Sequence, residues 1–204
     1  MKLPRLVVIG GKLAIICIIA AVVLGLINAV TAPVIVANRE KALLEGLNTI
    51  AAGADVAGPR IGEAITADDS EVVAASGEVQ AVYPLVTGEG DVGGYVLQLI
   101  GTGYGGDMNI LAGYYPDGEI FSARLMENQE TPGLGKKAED PAYMDKFVGT
   151  GGDRRVPASA SDLPPDQADA ITGATITFLG VARALEAGVE FVTSGDQSIA
   201  RSTQ

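Results

Sequence analysis

Histidine is missing from all 204 residues, and cysteine occurs once, as Cys17. Without histidine there is no Ser-His-Asp triad, no His-based zinc site and no His-ligated haem. One cysteine excludes an intrachain disulfide and any iron–sulfur cluster held by this chain alone. The lone thiol neither requires nor contradicts an oxidising compartment. Any redox chemistry must therefore be carried by an organic cofactor. Basic residues are also scarce, 14 Lys and Arg against 25 Asp and Glu, for a formal charge of −11. That balance argues against nucleic acid as a partner, because binding it begins with neutralising phosphates. It suits a domain that keeps away from anionic lipid surfaces.

What is present begins with an uncharged apolar stretch from Leu13 to Asn38. At 1.5 Å per residue, roughly 20 such residues cross a hydrocarbon core of about 30 Å. Lys2, Arg5 and Lys12 precede the stretch, and Arg39 and Lys41 follow it. The slight positive bias predicts a cytoplasmic N-terminus and a main domain on the extracytoplasmic side of the cell membrane. The competing reading is a cleaved signal peptide. Its apolar core would span only about 7–15 residues, and Ala29-Val30-Thr31-Ala32 is a poor cleavage site. The span holds no ionisable residue, which argues against a role in ion conduction.

The chain divides into a membrane anchor (1–37), an amphipathic helix and linker (38–60), an outer domain (61–195) and a loose tail (196–204). Leu43, Leu44, Leu47 and Ile50 share one face of the helix over Asn38–Ile50, and Ala51–Arg60 reads as the linker. Gln80–Val86 and Gly94–Ile100 read as strands. Met108–Tyr115 and Glu119–Met126 form a hairpin about Pro116-Asp117-Gly118, where proline fixes φ and glycine takes the positive φ. A short helix follows over Pro141–Val148, with proline in its first turn. A longer one runs from Ala174 to about Val192, with Ile176, Leu179, Ala182, Leu185, Val189 and Val192 on one stripe. Strands first and helices later give an α+β class: an antiparallel sheet with flanking helices.

Three stretches carry chemistry. In Asp169-Ala-Ile-Thr172-Gly173-Ala174-Thr175, Gly173 permits a tight turn and close ligand approach, and Thr172 reads as a helix N-cap. Thr175 then falls in a first turn whose free N–H groups favour an anion. An ordinary capped helix start explains the same residues. Glu130-Thr131-Pro132-Gly133-Leu134-Gly135-Lys136 reads as a stiff, close-approaching loop, or merely a turn. Gly101-Thr102-Gly103-Tyr104-Gly105-Gly106 is a third glycine-rich loop. It lacks the Lys-Ser/Thr ending of a phosphate-binding P-loop, and a plain hairpin connection accounts for it.

The first stretch resembles the flavinylation motif of the FMN-binding domain family, and Glu130–Gly135 resembles that family's Glu-Thr-Pro-Gly-Leu-Gly loop. The resemblance implies FMN joined by a phosphoester to Thr175, with Asp169, Thr172, Gly173 and Ala174 as the frame read by a flavin transferase that uses FAD. The register selects Thr175 over the neighbouring hydroxyls of Thr172 and Thr177. It further implies cofactor contacts from Glu130, Thr131, Pro132, Gly133, Leu134, Gly135 and Lys136. Motif order, chain length and the membrane span together resemble the G subunits of Rnf-type ion-translocating ferredoxin:NAD oxidoreductases. The C subunits of the sodium-translocating NADH:quinone reductases are the near relatives. The resemblance therefore implies an electron relay among membrane and redox subunits, not a complete enzyme. No dinucleotide fingerprint is present, so NADH binding is not expected. A C subunit of a sodium-translocating NADH:quinone reductase, usually longer and so ranked second, a stand-alone membrane-anchored flavin reductase and a non-redox membrane-anchored binding module are the alternatives. Asp107, Asn109 and Lys137 are further candidates for cofactor contact, and Asp153-Arg154-Arg155 for docking a neighbouring subunit.

Overall fold

The computed structural model describes residues 5–88 and 90–202. The chain separates into two compact units, Met1–Leu43 and Leu44–Gln204. The first consists of most of helix α1 (Arg5–Ala52), which contains Pro33. Among the described residues α1 is the one helix long and apolar enough to cross a membrane. Its large apolar side chains from Leu13 to Val36 are exposed. The helix is continuous from the apolar stretch through Asn38–Ile50, so those residues are its last turns and not a separate element. The charges at Arg39 and Lys41 change the helix surface, but neither residue breaks a helix.

The second unit is built on one antiparallel sheet in the order β1-β3-β4-β5-β6. Its long strands are β3 (Val79–Val86), β4 (Val92–Thr102), β5 (Asp107–Tyr114) and β6 (Ile120–Glu127). Each starts and ends within two residues of the span expected from the sequence, and the turn at Pro116–Gly118 joins β5 to β6. Two short strands that the sequence does not announce, β1 (Arg60–Ile61) and β2 (Ile65–Thr66), lie along the free edge of β3. Helices α2 (Glu71–Ser76), α3 (Pro141–Met144), α4 (Pro165–Ala168) and α5 (Thr175–Ser202) complete the unit.

Both faces of the sheet are buried. On one, Tyr95, Leu97, Leu99, Met108, Ile110 and Tyr114 pack with Phe178, Val181, Leu185 and Val192 of α5. Phe147 stacks on Phe178 at 4.9 Å between ring centroids, and Tyr143 meets it edge-on at 6.0 Å. The other face, with Val96, Leu111 and Phe121, receives Leu47, Ile50 and Ala51 from the end of α1. The linker expected from Ala51 onward begins later than that, because Ala51 is itself helical and buried. The helical backbone of α5 also continues to Ser202, through most of the stretch expected to be a loose tail. No proline stands after Val192 to stop it.

Candidate functional site

The site gathers at the N-terminal end of α5. Thr175 is the first residue of that helix and is exposed. Asp169 opens a 3-10 turn (Asp169–Ile171), and its carbonyl accepts from the N–H of Thr172 at 3.2 Å. Thr172 is exposed and extended, with φ −60° and ψ 127°. The expected N-cap role for Thr172 does not hold. Gly173, at φ +82°, turns the chain once more, so the first helical bond runs from Phe178 N–H to Ala174 O at 2.9 Å. Ala174 thus occupies the cap position, and its methyl cannot accept a hydrogen bond. Among the described residues, the backbone N–H groups of Thr175, Ile176 and Thr177 find no acceptor. They crown the positive end of a 28-residue helix.

The second loop folds back against this end. Thr131 O accepts from Leu134 N–H at 3.1 Å and from Lys136 N–H at 3.2 Å, with Gly133 at φ +79°. Thr131, Pro132, Gly133 and Leu134 are exposed, whereas Gly135 is buried. Leu134 leans on the first motif: its Cδ2 would stand 3.0 Å from a Cβ at Gly173. Leu134 (45% exposed) and Ile176 (55%) are apolar side chains left open here. Lys136 pairs with Glu139 at 3.6 Å, both about half exposed, and Lys137 is exposed. An exposed pair of this kind contributes little stability.

The third loop is the β4–β5 hairpin connection. It closes through Gly103 N–H to Gly106 O at 2.9 Å and carries Tyr104, which is 73% exposed. Glu130 ties all three stretches together. It is 3% exposed; Oε1 accepts from Gly105 N–H at 2.8 Å and Oε2 from Thr177 Oγ–H at 2.6 Å. Thr177 is itself only 1% exposed. The sequence alone assigns Thr177 no role, because its pairing with a residue 47 positions away leaves no local signal. Tyr143 lies buried nearby, and among the described residues its hydroxyl has no hydrogen-bond partner. Burial, and then the charge of Glu130, push that phenol well above its ordinary range.

Asp107 and Asn109 sit on β5, Asp107 paired with Thr102 at the hairpin end. Arg154 and Arg155 line a different cleft of about 510 Å³, with Lys146, Val156, Asp162 and Leu163, that includes no motif residue.

The residues present suit FMN. The exposed Thr175 hydroxyl stands beside three unbonded amides that favour a phosphate. Open apolar side chains of a loop, Leu134, and of the start of α5, Ile176, offer a surface for a flat ring.

A family model described as the FMN-binding domain matches residues 103–190, a span holding all three stretches except Gly101 and Thr102. That stretch is therefore similar to an FMN-binding domain. The G subunit of the Na(+)-translocating ferredoxin:NAD(+) oxidoreductase complex of Acetobacterium woodii is 30% identical over 89% of this chain and 89% of its own length. The G subunit of the ion-translocating oxidoreductase complex of Methanosarcina acetivorans is 34% identical over 61% of this chain, and the match spans 65% of that protein. Among solved structures, NqrC of Shewanella oneidensis superposes with a TM-score of 0.47 at 28% identity, covering 59% of this chain and 61% of that one. The chain belongs to the family of G subunits of ion-translocating oxidoreductase complexes.

Proposed function

We propose that this chain is the electron-transferring G subunit of a membrane-bound ion-translocating ferredoxin:NAD oxidoreductase and carries FMN as a phosphoester on Thr175. One observation supports the assignment of the residue. Of the three hydroxyls at this turn, Thr177 is buried and donates to Glu130, Thr172 is exposed but precedes the helix, and Thr175 alone is exposed at the helix start beside three free amides. Attachment needs a flavin transferase and FAD. The Thr175 oxygen bonds to the FMN phosphorus, the pyrophosphate P–O bond breaks, AMP leaves and the hydroxyl proton passes to solvent. Once bound, the flavin supplies one- or two-electron transfer. The chain's own residues hold it. The first-turn amides would donate to the phosphate, exposed Leu134 and Ile176 would give the ring an apolar seat, and Thr131 and the Pro132–Gly135 backbone would border it. Lys136 and Lys137 place positive charge nearby, which favours a reduced, anionic ring. The tether retains the cofactor where free FMN is not recovered. Helix α1 anchors the chain in the cell membrane with the N-terminus cytoplasmic and the main unit on the extracytoplasmic side, beside the other membrane and redox subunits.

Intact-mass measurement on protein from its native membrane, followed by peptide mapping, tests the assignment. The expected result is an added mass of FMN minus water on the peptide containing Thr175, absent from Thr175→Ala. An unmodified Thr175 in cells with an active flavin transferase sinks the proposal. External protease that spares the main unit in intact spheroplasts would reverse the assigned orientation.

A further inference from the structure

Glu130 belongs to the loop that resembles a flavin-contacting sequence, yet its carboxylate faces protein. Both oxygens are engaged, by Gly105 N–H and by the Thr177 hydroxyl, and the residue is 3% exposed. Its own N–H donates to Asn128 Oδ1 at 3.0 Å, and Asn128 Nδ2 donates to Glu139 Oε1 at 2.9 Å. The glycines on either side make room for the carboxylate itself. A Cβ at Gly103 would collide with Oε1, and one at Gly135 with Oε2 while standing 2.7 Å from Thr177 Oγ. Two motif glycines are thus accounted for by a buried acid and not by the cofactor.

The helix supplies the other half of the argument. Two residues along an α-helix turn a side chain through about 200°. When Thr177 points into the core towards Glu130, Thr175 must point out to solvent, as it does. Phe178 packs into the core shared by the helix and the sheet. No side chain caps its first turn, since Ala174 stands at the cap position. The Glu130–Thr177 bond joins that turn to the loops, and a charge-assisted bond of this kind is about twice as strong as a neutral one.

We propose that Glu130 and Thr177 are a positioning pair: they fix which hydroxyl of α5 is offered for FMN attachment and hold the two loops in place against the attached ring. Neither touches the cofactor; Glu130 acts through Thr177 on the helix and through Gly105 on the Tyr104 loop. The proposal rests on FMN attachment at Thr175.

The test uses the full chain, co-expressed with a flavin transferase, as wild type, Thr177→Val, Thr177→Ser and Glu130→Gln. Three quantities are read: the fraction of chains carrying FMN at an early time, the fluorescence anisotropy of the bound flavin, and far-UV circular dichroism. Thr177→Val keeps the branched shape and removes the donor. Glu130→Gln turns a donor towards Gly105 N–H or towards Thr177. Both should load FMN roughly ten- to a hundredfold more slowly, the upper figure being the cost of misplacing a reacting group by about 1 Å. The flavin they do carry should have lower anisotropy, with the far-UV spectrum unchanged. Thr177→Ser keeps the hydroxyl and should match wild type in all three. Wild-type loading and anisotropy in Thr177→Val overturn the pair. If Thr177→Val loses its fold, the same wild-type values in Glu130→Gln overturn it. A wild-type chain without FMN on Thr175 overturns the functional reading and this inference together, whereas equal loading in wild type and variants overturns only the inference.

Discussion

At Gly135 a methyl group has nowhere to go. Its Cβ would press on the Glu130 carboxylate and on Thr177 Oγ, both buried and hydrogen-bonded to each other. Gly135→Ala should destabilise the outer unit by about 1–3 kcal/mol, the usual cost of overpacking, read as a lower urea midpoint. Gly133→Ala, at positive φ but with open space around its Cβ, tests backbone strain alone and should cost about 1 kcal/mol. At this scale the proposed acceptor is legible only through the family resemblance of the Thr172-Gly173-Ala174-Thr175 run, since the residues alone read equally as an ordinary helix start. The sequence does not announce the clamp. Glu130 and Thr177 are 47 residues apart, and their bond exists only once β6 and α5 have docked. Thr172 misleads for the same kind of reason. A threonine before a helix reads as a cap, but whether its side chain reaches back depends on the φ of Gly173, which composition does not encode.

The elements themselves are easier to read. Strands β3 to β6 come through because both faces are buried and the alternation of Tyr95, Leu97 and Leu99 against Val96 runs the length of the strand. The strands β1 and β2 do not, since two residues pair with an edge for tertiary reasons that no window of propensity contains. Helix α5 is locked onto the sheet at one further point: Tyr114 Oη donates to Leu185 O at 3.1 Å in a buried position. Tyr114→Phe should cost about 1 kcal/mol, because the carbonyl left behind keeps its place in the helix; chemical denaturation gives the value. Phe178→Ala, which removes the ring stacked between Phe147 and Tyr143, should cost about 3–5 kcal/mol.

For the whole molecule, three tyrosines set the alkaline limit. Burial raises the phenols of Tyr83, Tyr114 and Tyr143, with the Glu130 charge adding to the last. A group whose folded value lies above its unfolded value contributes stability in full below the unfolded value, near pH 10, and loses it as pH rises through the folded one. Thermal midpoints should therefore hold steady up to about pH 10 as far as these groups are concerned and fall beyond it, in step with phenolate absorbance. The acid side depends on other groups: Asp69 and Asp162 are held below the ordinary carboxylate range by their hydrogen bonds to Thr66 and to Ala158 and Ser159. Their contribution is present above the unfolded value and lost as pH falls through the folded one. The end of α1 has a different bearing. Leu47, Ile50 and Ala51 cover one face of the sheet, and they belong to the same unbroken helix as the apolar span. A peptidase that cut this chain after Ala51 would not shed a working domain. It would strip away the cover and leave bare sheet to the quality-control machinery, so turnover, rather than release, is the fate built into that junction.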